Sequence, residues 1–177
     1  AAQCLGGVAV PLYQDAPAAD MAYVLENAEI DFAIVEDQEQ VDKILEIRQT
    51  VKGLTHIVYD DGRGLRNYTQ SGVHSFDSVQ ALGKVHDQDH PEFFQQQIDH
   101  GQTNDIAVIL YTSGTTGKPK GVLHTSNTML SNLVPFAERL GLGAGDVIHM
   151  PSPMAHQLGF MYGLVLPVML GASAVLQ

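Results

Sequence analysis

The sequence Asp105-Ile-Ala-Val-Ile-Leu-Tyr-Thr-Ser-Gly-Thr-Thr-Gly-Lys-Pro-Lys-Gly-Val-Leu-His-Thr125 decides how the chain folds. Its apolar run, residues 106–110, predicts a buried strand that leads into a loop built almost wholly of Gly, Ser, Thr and Lys. A second short run, residues 122–124, predicts a strand that returns from this loop. The stretch therefore predicts two strands joined by a loop of small residues.

The residue types of the loop suit a polyphosphate ligand. Gly114 and Gly117 can adopt positive φ angles that turn successive N–H groups inward, and no bulky side chain blocks a ligand's approach. Hydroxyl donors and two cations complete the predicted phosphate site, which comprises Thr112, Ser113, Gly114, Thr115, Thr116, Gly117, Lys118 and Lys120. A Walker A loop is excluded, because Pro119 stands where that motif needs a Mg²⁺-binding hydroxyl.

The rest of the chain alternates strands and helices, which predicts an α/β fold with mostly parallel sheets and helices on the sheet faces. Short buried strands are predicted at residues 8–12, 32–35, 56–59, 146–150 and 174–176. One helix is predicted to end near residue 6, and others are predicted at residues 18–28, from an Asp37 cap to near Gly53, at 75–82 and at 91–98. A last, long helix is predicted to begin at Thr125 or Ser126, with Met129, Leu130, Leu133 and Leu140 facing inward. The uncharged residues 158–176, with their glycines and a proline, favour a buried helix, a turn and a strand over a membrane span.

Composition and charge limit the classes of function. The chain has 177 residues, of which 45% are apolar, as expected of a globular protein. Its net charge of −11 disfavours nucleic acid and anionic membranes as partners. A single cysteine, Cys4, excludes an internal disulfide and fits a cytoplasmic location, and no signal peptide is recognisable. We interpret His74, His86, His90 and His100 as surface residues, because their spacing is not that of metal ligands.

A second candidate site lies in the loop at residues 151–159. Two prolines restrict the backbone around Ser152, and Gly159 relieves crowding where the next helix begins. His156 could orient a carboxylate beside a hydrophobic acyl pocket, or it could merely satisfy a backbone carbonyl. The residues alone support both interpretations equally.

The residues from Thr112 to Gly121 resemble the phosphate-binding signature of the adenylate-forming superfamily, which comprises acyl-CoA synthetases, luciferases and peptide-synthetase adenylation domains. The segment Pro153-Met-Ala-His-Gln-Leu-Gly159 is similar to the family's Pro-x-x-His-x-x-Gly element, in which the histidine lines the acyl-substrate site. The resemblance extends from about Gly6 to Gln177. It implies a partial N-terminal AMP-binding domain, with residues 1–104 as a first α/β part and residues 105–177 carrying both sites, and without the C-terminal domain.

The activity that the resemblance implies is the two-step activation of a carboxylic (fatty) acid with ATP, Mg²⁺ and the co-substrate CoA. Lys120 and Thr116 would be catalytic residues that hold the β- and γ-phosphates of ATP, while His156 and Gly159 would line the acyl site. Residues 35–45 resemble bacterial long-chain acyl-CoA synthetases, whereas residues 124–177 resemble cyclohexanecarboxylate- and medium-chain-type CoA ligases. These two hints point to different small-molecule acids, so the sequence does not choose among them.

Several motifs of the family are missing from the chain. Tyr162-Gly163 is followed by Leu-Val and is not the aromatic-Gly-x-Thr-Glu motif, and the ribose-binding Asp motif, the hinge and the C-terminal lysine are also absent. We therefore expect an internal fragment that is inactive in isolation. The alternatives are another adenylate-forming enzyme (an aryl or alicyclic acid–CoA ligase or a carrier-protein acylating enzyme), a non-catalytic nucleotide-binding module, and an interaction domain without a ligand. The sequence gives no indication of the oligomeric state.

Overall fold

The structure is a computed structural model that describes residues 2–112 and 117–176. Its internal contacts divide the chain into two compact units. One unit is formed by Gln14–Gln96, and the other by Ala1–Tyr13 together with Gln97–Gln177.

The unit of Gln14–Gln96 is built on a parallel sheet of three strands. Its elements are α1 (Ala18–Asn27), β1 (Phe32–Val35), α2 (Gln38–Ile47), β2 (His56–Tyr59), β3 (Val73–Ser75) and α3 (Phe76–Asp89). The strand order is β1-β2-β3, with Phe32 opposite His56 and Ile57 opposite Val73. The core of this unit consists of Met21, Val24, Leu25, Ala33, Val41, Ile44, Ile47, Val51, Leu54, Ile57, Val58 and Leu65.

The predicted cap of α2 is confirmed. The carboxylate of Asp37 accepts a hydrogen bond from the backbone N–H of Glu39 at 2.9 Å, and the side chain of Gln40 accepts one from the N–H of Asp37 at 3.2 Å. These reciprocal bonds satisfy donors that the first turn of a helix otherwise leaves without partners. The helix places Val41 and Ile44 in the core, as their spacing predicts.

The second unit contains an antiparallel hairpin and a parallel pair of strands. Its elements are a 3₁₀ turn (Gln3–Leu5), β4 (Ile106–Thr112), β5 (Lys120–Thr125), α5 (Ser126–Leu140), β6 (Val147–Met150), a π-helix (Gly159–Val165), α6 (Leu166–Leu170) and β7 (Ser173–Leu176). A further helix, α4, spans Phe93–His100. The strands β4 and β5 pair antiparallel, whereas β6 and β7 pair parallel.

The hairpin packs against the helices that follow it in the chain. Val108 and Leu110 of β4, Leu133 of α5 and Met161 of the π-helix belong to one buried cluster. Thr125 caps α5, because its hydroxyl accepts a hydrogen bond from the N–H of Thr128. This α/β architecture, in which the described strand pairs other than the hairpin are parallel, confirms the predicted fold class.

Several predicted boundaries are wrong. Residues 8–12 form only an isolated bridge, between Ala9 and Val108, and α2 ends at Ile47 rather than near Gly53. The helix predicted at 75–82 continues to Asp89, and the helix predicted at 91–98 is Phe93–His100. Apolar spacing locates a helix well but marks its ends poorly, because local turns compete there.

Some positions predicted to be buried are exposed. On α5, Leu130 and Leu140 face solvent while Ala137 joins the core, because the apolar stripe is narrower than the leucine spacing suggests. Ile34 of β1 and the whole of β7 are also exposed, although continuous apolar runs predict burial on both faces. Among the described residues, no helix has the length and apolar character needed to cross a bilayer.

Candidate active site

The predicted phosphate loop joins the two strands of the hairpin. Thr112, the last residue of β4, lies directly opposite Lys120, the first residue of β5, and both are exposed. Opposed residues of an antiparallel pair project to the same face with Cβ atoms about 5 Å apart. The side chains of Thr112 and Lys120 therefore leave the backbone side by side, on one face, where the loop begins and ends.

The geometry of the loop and of the strand that follows it favours glycine at two positions. Gly117 has a φ of +90°, a conformation that L side chains rarely adopt. A Cβ at Gly121 would lie 2.8 Å from Cγ2 of Ile109 and 3.1 Å from Cζ of Tyr111, so the opposite strand requires a residue without a side chain. Among the described residues other than its chain neighbours, no atom lies within 4 Å of a Cβ built at Gly117.

Four residues of the predicted phosphate site lie outside the described residues. These are Ser113, Gly114, Thr115 and Thr116, one of which, Thr116, is also a predicted catalytic residue. Their assignment to the site stays a prediction. The described members, Thr112, Gly117, Lys118 and Lys120, all lie at the end of the hairpin.

The charge around the hairpin differs from that of the whole chain. Residues 106–137 contain Lys118 and Lys120 but no Asp or Glu, although the chain as a whole carries a net charge of −11. Lys118 lies in the loop between the two strands, and Lys120 is the first residue of β5. Positive side chains without acidic residues beside them in the sequence favour the binding of an anion.

The backbone around His156 fixes the orientation of its imidazole. The N–H of His156 donates to the carbonyl of Pro153 at 3.0 Å, and the N–H of Phe160 donates to the carbonyl of His156 at 3.0 Å. The N–H of Leu158 donates to Nδ1 of the imidazole at 3.1 Å. Because Nδ1 acts as an acceptor, the proton of the neutral ring is assigned to Nε2. The exposed side chain of His156 thus offers an N–H donor.

Gly159 holds the His156 loop against the start of the π-helix. A Cβ at this position would lie 2.6 Å from the carbonyl oxygen of Ser152 and 2.6 Å from the carbonyl carbon of Pro153, and closer still to the Pro153 oxygen. The prediction that Gly159 relieves crowding is therefore confirmed in its steric part. Its role beside an acyl substrate is not tested by this geometry and stays a prediction.

The two predicted sites belong to the same compact unit and share one core. Leu110 precedes the mouth of the hairpin by two residues, and Phe160 and Met161 follow the His156 loop; all three are members of one buried cluster. The same core thus positions the hairpin and the histidine loop.

Sequence reasoning missed a polar link between α5 and the π-helix. The hydroxyl of Tyr162 donates to Oδ1 of Asn132 at 3.1 Å, and its ring meets that of Phe136 edge-on at 4.8 Å. Helical spacing places Asn132 and Phe136 on one face of α5, which is the signal that the sequence offered. The π-helix itself has no such signal, since i→i+5 bonding depends on the packed surroundings.

Sequence reasoning also missed a buried nitrogen atom in the side chain of His124. Nε2 of His124 on β5 is inaccessible to solvent and has no hydrogen-bond partner in the described structure. The register places His124 opposite Val108, which is fully buried. An unsatisfied polar atom in such surroundings destabilises the fold unless water reaches it.

Three groups of the other unit have displaced pKa values. A hydrogen bond from Arg63 lowers the pKa of Asp61, and the same pair raises the pKa of Arg63. A hydrogen bond to Asp42 raises the pKa of Tyr68. Asp61 and Arg63 line an approximately 300 Å³ cavity with Asp37, Gln38 and Glu39. Its acidic lining does not suit a polyphosphate.

Within residues 2–112 and 117–176, no three His, Cys, Asp or Glu side chains are grouped so that they could hold a metal ion.

The whole chain, residues 1–177, matches the family described as AMP-binding enzyme. It is 31% identical to a medium-chain fatty-acid–CoA ligase of Escherichia coli (strain K12), across 97% of the chain but only 29% of the relative. It is also 31% identical to a mitochondrial malonate–CoA ligase of Homo sapiens, across 97% of the chain and 26% of that relative. The crystal structure of an anthranilate CoA ligase with anthranoyl-AMP aligns with a TM-score of 0.68 at 24% identity, covering 97% of the chain and 30% of that enzyme.

Proposed function

Because this chain belongs to the AMP-binding enzyme family, we propose that it serves the ATP-dependent activation of a carboxylic acid to an acyl-adenylate and then to an acyl-CoA. The observation that carries the proposal is the exposed Thr112–Lys120 pair at the mouth of a glycine-containing hairpin. The chain spans less than a third of the length of its curated relatives, and residues 1–177 are proposed as part of the N-terminal domain of such an enzyme. The proposed division at residues 104 and 105 stays a prediction.

The first step joins two anions. A carboxylate oxygen attacks the α-phosphorus of ATP, the bond from that phosphorus to the bridging oxygen breaks, and pyrophosphate leaves with the electron pair. In the second step the sulfur of CoA attacks the acyl carbon, AMP leaves, and the thiol proton passes to solvent. Catalysis of the first step depends on positioning and on charge neutralisation, since no protein nucleophile is needed.

The hairpin supplies donors and charge for the leaving pyrophosphate. Lys120 lies opposite Thr112 in the strand register, and Gly117 has the positive φ that lets the turn direct its backbone N–H toward a ligand. We assign the β- and γ-phosphates to this end of the hairpin, with the undescribed residues 113–116, including Thr116, as further donors. These residue types fit a triphosphate, and Mg²⁺ would enter with the nucleotide because its ligands are largely phosphate and water oxygens.

His156 is proposed to bind the carboxylate of the acid. Its Nδ1 is occupied by the N–H of Leu158, so Nε2–H remains as the donor that a carboxylate can accept. The Gly159 contact keeps the histidine loop close to the apolar residues of the π-helix. A donor fixed next to an apolar surface suits an acid with an apolar tail.

The identity of the acid stays open within this proposal. The named relatives act on medium-chain fatty acids and malonate, and the aligned structure concerns anthranilate. CoA is the proposed acceptor, by the names of the same proteins. We also propose a cytoplasmic location, because a lone cysteine suits a reducing compartment. Neither nucleic acid nor an anionic membrane surface is proposed as a partner.

The proposal is tested by ATP–pyrophosphate exchange in the longest natural enzyme that contains this chain, with a panel of fatty, aryl and dicarboxylic acids. Lys120→Ala is expected to lower the exchange rate by about 10²–10³-fold, the typical cost of losing one preorganised donor. Lys84→Ala, on α3, is the matched control because it removes an exposed lysine elsewhere. Equal rates for both variants would contradict the role of the hairpin, and nucleotide binding without exchange would instead support a non-catalytic module.

A further inference from the structure

Two histidines on neighbouring strands of the Gln14–Gln96 unit face each other. Nδ1 of His56, on β2, lies 3.3 Å from Nε2 of His74, on β3. Their ring centroids are 5.4 Å apart with a tilt of 41° between the planes. His56 is exposed, whereas His74, which the sequence analysis assigned to the surface, is half-buried because it lies on the strand β3. The two residues are 18 positions apart, which hides the pair from any search for ligand spacing.

We propose that His56 and His74 form a two-histidine binding site for a divalent transition-metal ion, with Zn²⁺ as the best geometric match. Bonds from Zn²⁺ to imidazole nitrogen are about 2.0–2.1 Å long, so a tetrahedral angle places two such nitrogens about 3.3–3.4 Å apart. The observed separation equals this value without any movement of the strands. A square-planar angle would require about 2.9 Å and hence a closer approach of the rings.

The backbone holds the pair in place. The N–H of Ile57 donates to the carbonyl of Gly72 at 2.8 Å, which fixes β2 to the segment that enters β3. The guanidinium of Arg48 donates to the carbonyls of Thr55 and Ser71, one residue before His56 and three before His74. The ring of Phe32, on β1, lies 6.0 Å from that of His56. The two nitrogens are thus brought together by rigid elements, which reduces the entropy lost on chelation.

The chemistry of the metal-free pair is compatible with binding. In the neutral pair the N–H of one ring donates a hydrogen bond to the lone pair of the other ring, since two facing lone pairs would repel each other. On binding, the donating ring moves that proton to its other nitrogen, so both facing nitrogens present lone pairs and no net proton is released. Within the described residues no third His, Cys, Asp or Glu completes the group, so water fills the remaining positions. The nearby charge of Arg48 opposes a cation and limits the affinity.

Titration calorimetry of the complete chain with Zn²⁺ tests the site. His56→Gln and His74→Gln should each weaken binding at least about tenfold, because even the loss of an outer-shell partner costs about 10–100-fold. The double variant His86→Gln/His90→Gln is the matched control, since it removes another close histidine pair of the described residues, at the end of α3. This control should bind Zn²⁺ like the wild type.

Unchanged affinity in His56→Gln or His74→Gln would overturn the proposal, and so would loss of binding in the control alone. If a variant fails to fold, the imidazole nitrogen resonances of the wild-type chain decide instead. Zn²⁺ should then shift the resonances of His56 Nδ1 and His74 Nε2 before those of the other histidines. Saturation at other histidines first would contradict the site.

Discussion

Replacement of Gly159 by alanine tests how tightly the histidine loop is fixed to the π-helix. The added Cβ would lie 2.6 Å from the Ser152 oxygen and 2.6 Å from the Pro153 carbon, whereas such contacts normally exceed about 3.4 Å. The obstacles are backbone atoms, and the N–H of His156 bonds to the same Pro153 carbonyl. The loop therefore cannot yield through a rotamer change and must shift as a whole.

The expected cost follows from two opposing effects. Overpacking in a close-packed region costs about 1–3 kcal/mol, and a backbone obstacle places this substitution near the top of that range. The greater helix propensity of alanine returns roughly 1 kcal/mol. We therefore expect Gly159→Ala to lower the free energy of unfolding by about 2 kcal/mol.

Urea unfolding of the complete chain provides the measurement. The matched control is Gly145→Ala, because a Cβ there meets nothing within 4 Å and the residue has no positive φ. This control should leave stability unchanged or raise it by about 0.4–1 kcal/mol through the unfolded state. Equal unfolding free energies for the two variants would refute the packing argument, because the carbonyls would then have space that the structure denies them.

Two further predictions concern titration and burial. The hydrogen bond to Asp42 raises the pKa of Tyr68 in the folded state, so its contribution to stability is present below the ordinary tyrosine pKa and is lost as pH rises through the folded-state pKa. In a phenolate absorbance titration, with Tyr68→Phe to assign the signal, Asp42→Asn should lower the pH at which Tyr68 titrates. An unmoved titration curve would contradict the assigned cause. His124→Leu should raise the free energy of unfolding by up to about 1 kcal/mol, because it removes a buried nitrogen that has no partner among the described residues. A decrease in the free energy of unfolding, measured with urea, would mean that water or another group bonds to His124.

The parts of the fold that were predictable are those governed by local chemistry. The strands at Phe32–Val35 and His56–Tyr59 and the caps at Asp37 and Thr125 have the expected positions, because each depends on a few adjacent residues. The end of α2 at Ile47 was not predictable, since apolar residues continue beyond it and serve a buried turn at Val51 and Leu54.

The parts that were not predictable depend on distant packing. The choice of Ala137 over Leu140 for the core is made by the surfaces that α5 meets, not by its own pattern. The same holds for the approach of His56 to His74, which only the strand register creates.

The candidate site also has a part that the sequence predicts and a part that only the structure shows. Residue types alone indicated the phosphate loop, and the hairpin register then placed Thr112 opposite Lys120. The sequence left two roles open for His156. The hydrogen bond from Leu158 to its Nδ1 shows how the ring is oriented, which no residue pattern could have revealed.

The central claim is that the β4–β5 hairpin binds the polyphosphate of ATP. It is tested most directly by following the backbone amide resonances of the complete chain during titration with Mg²⁺ and pyrophosphate. We predict saturable shifts at residues 112–121 that Lys120→Ala weakens and Lys84→Ala leaves unchanged. Shifts confined to other residues, or none at millimolar pyrophosphate, would contradict the claim.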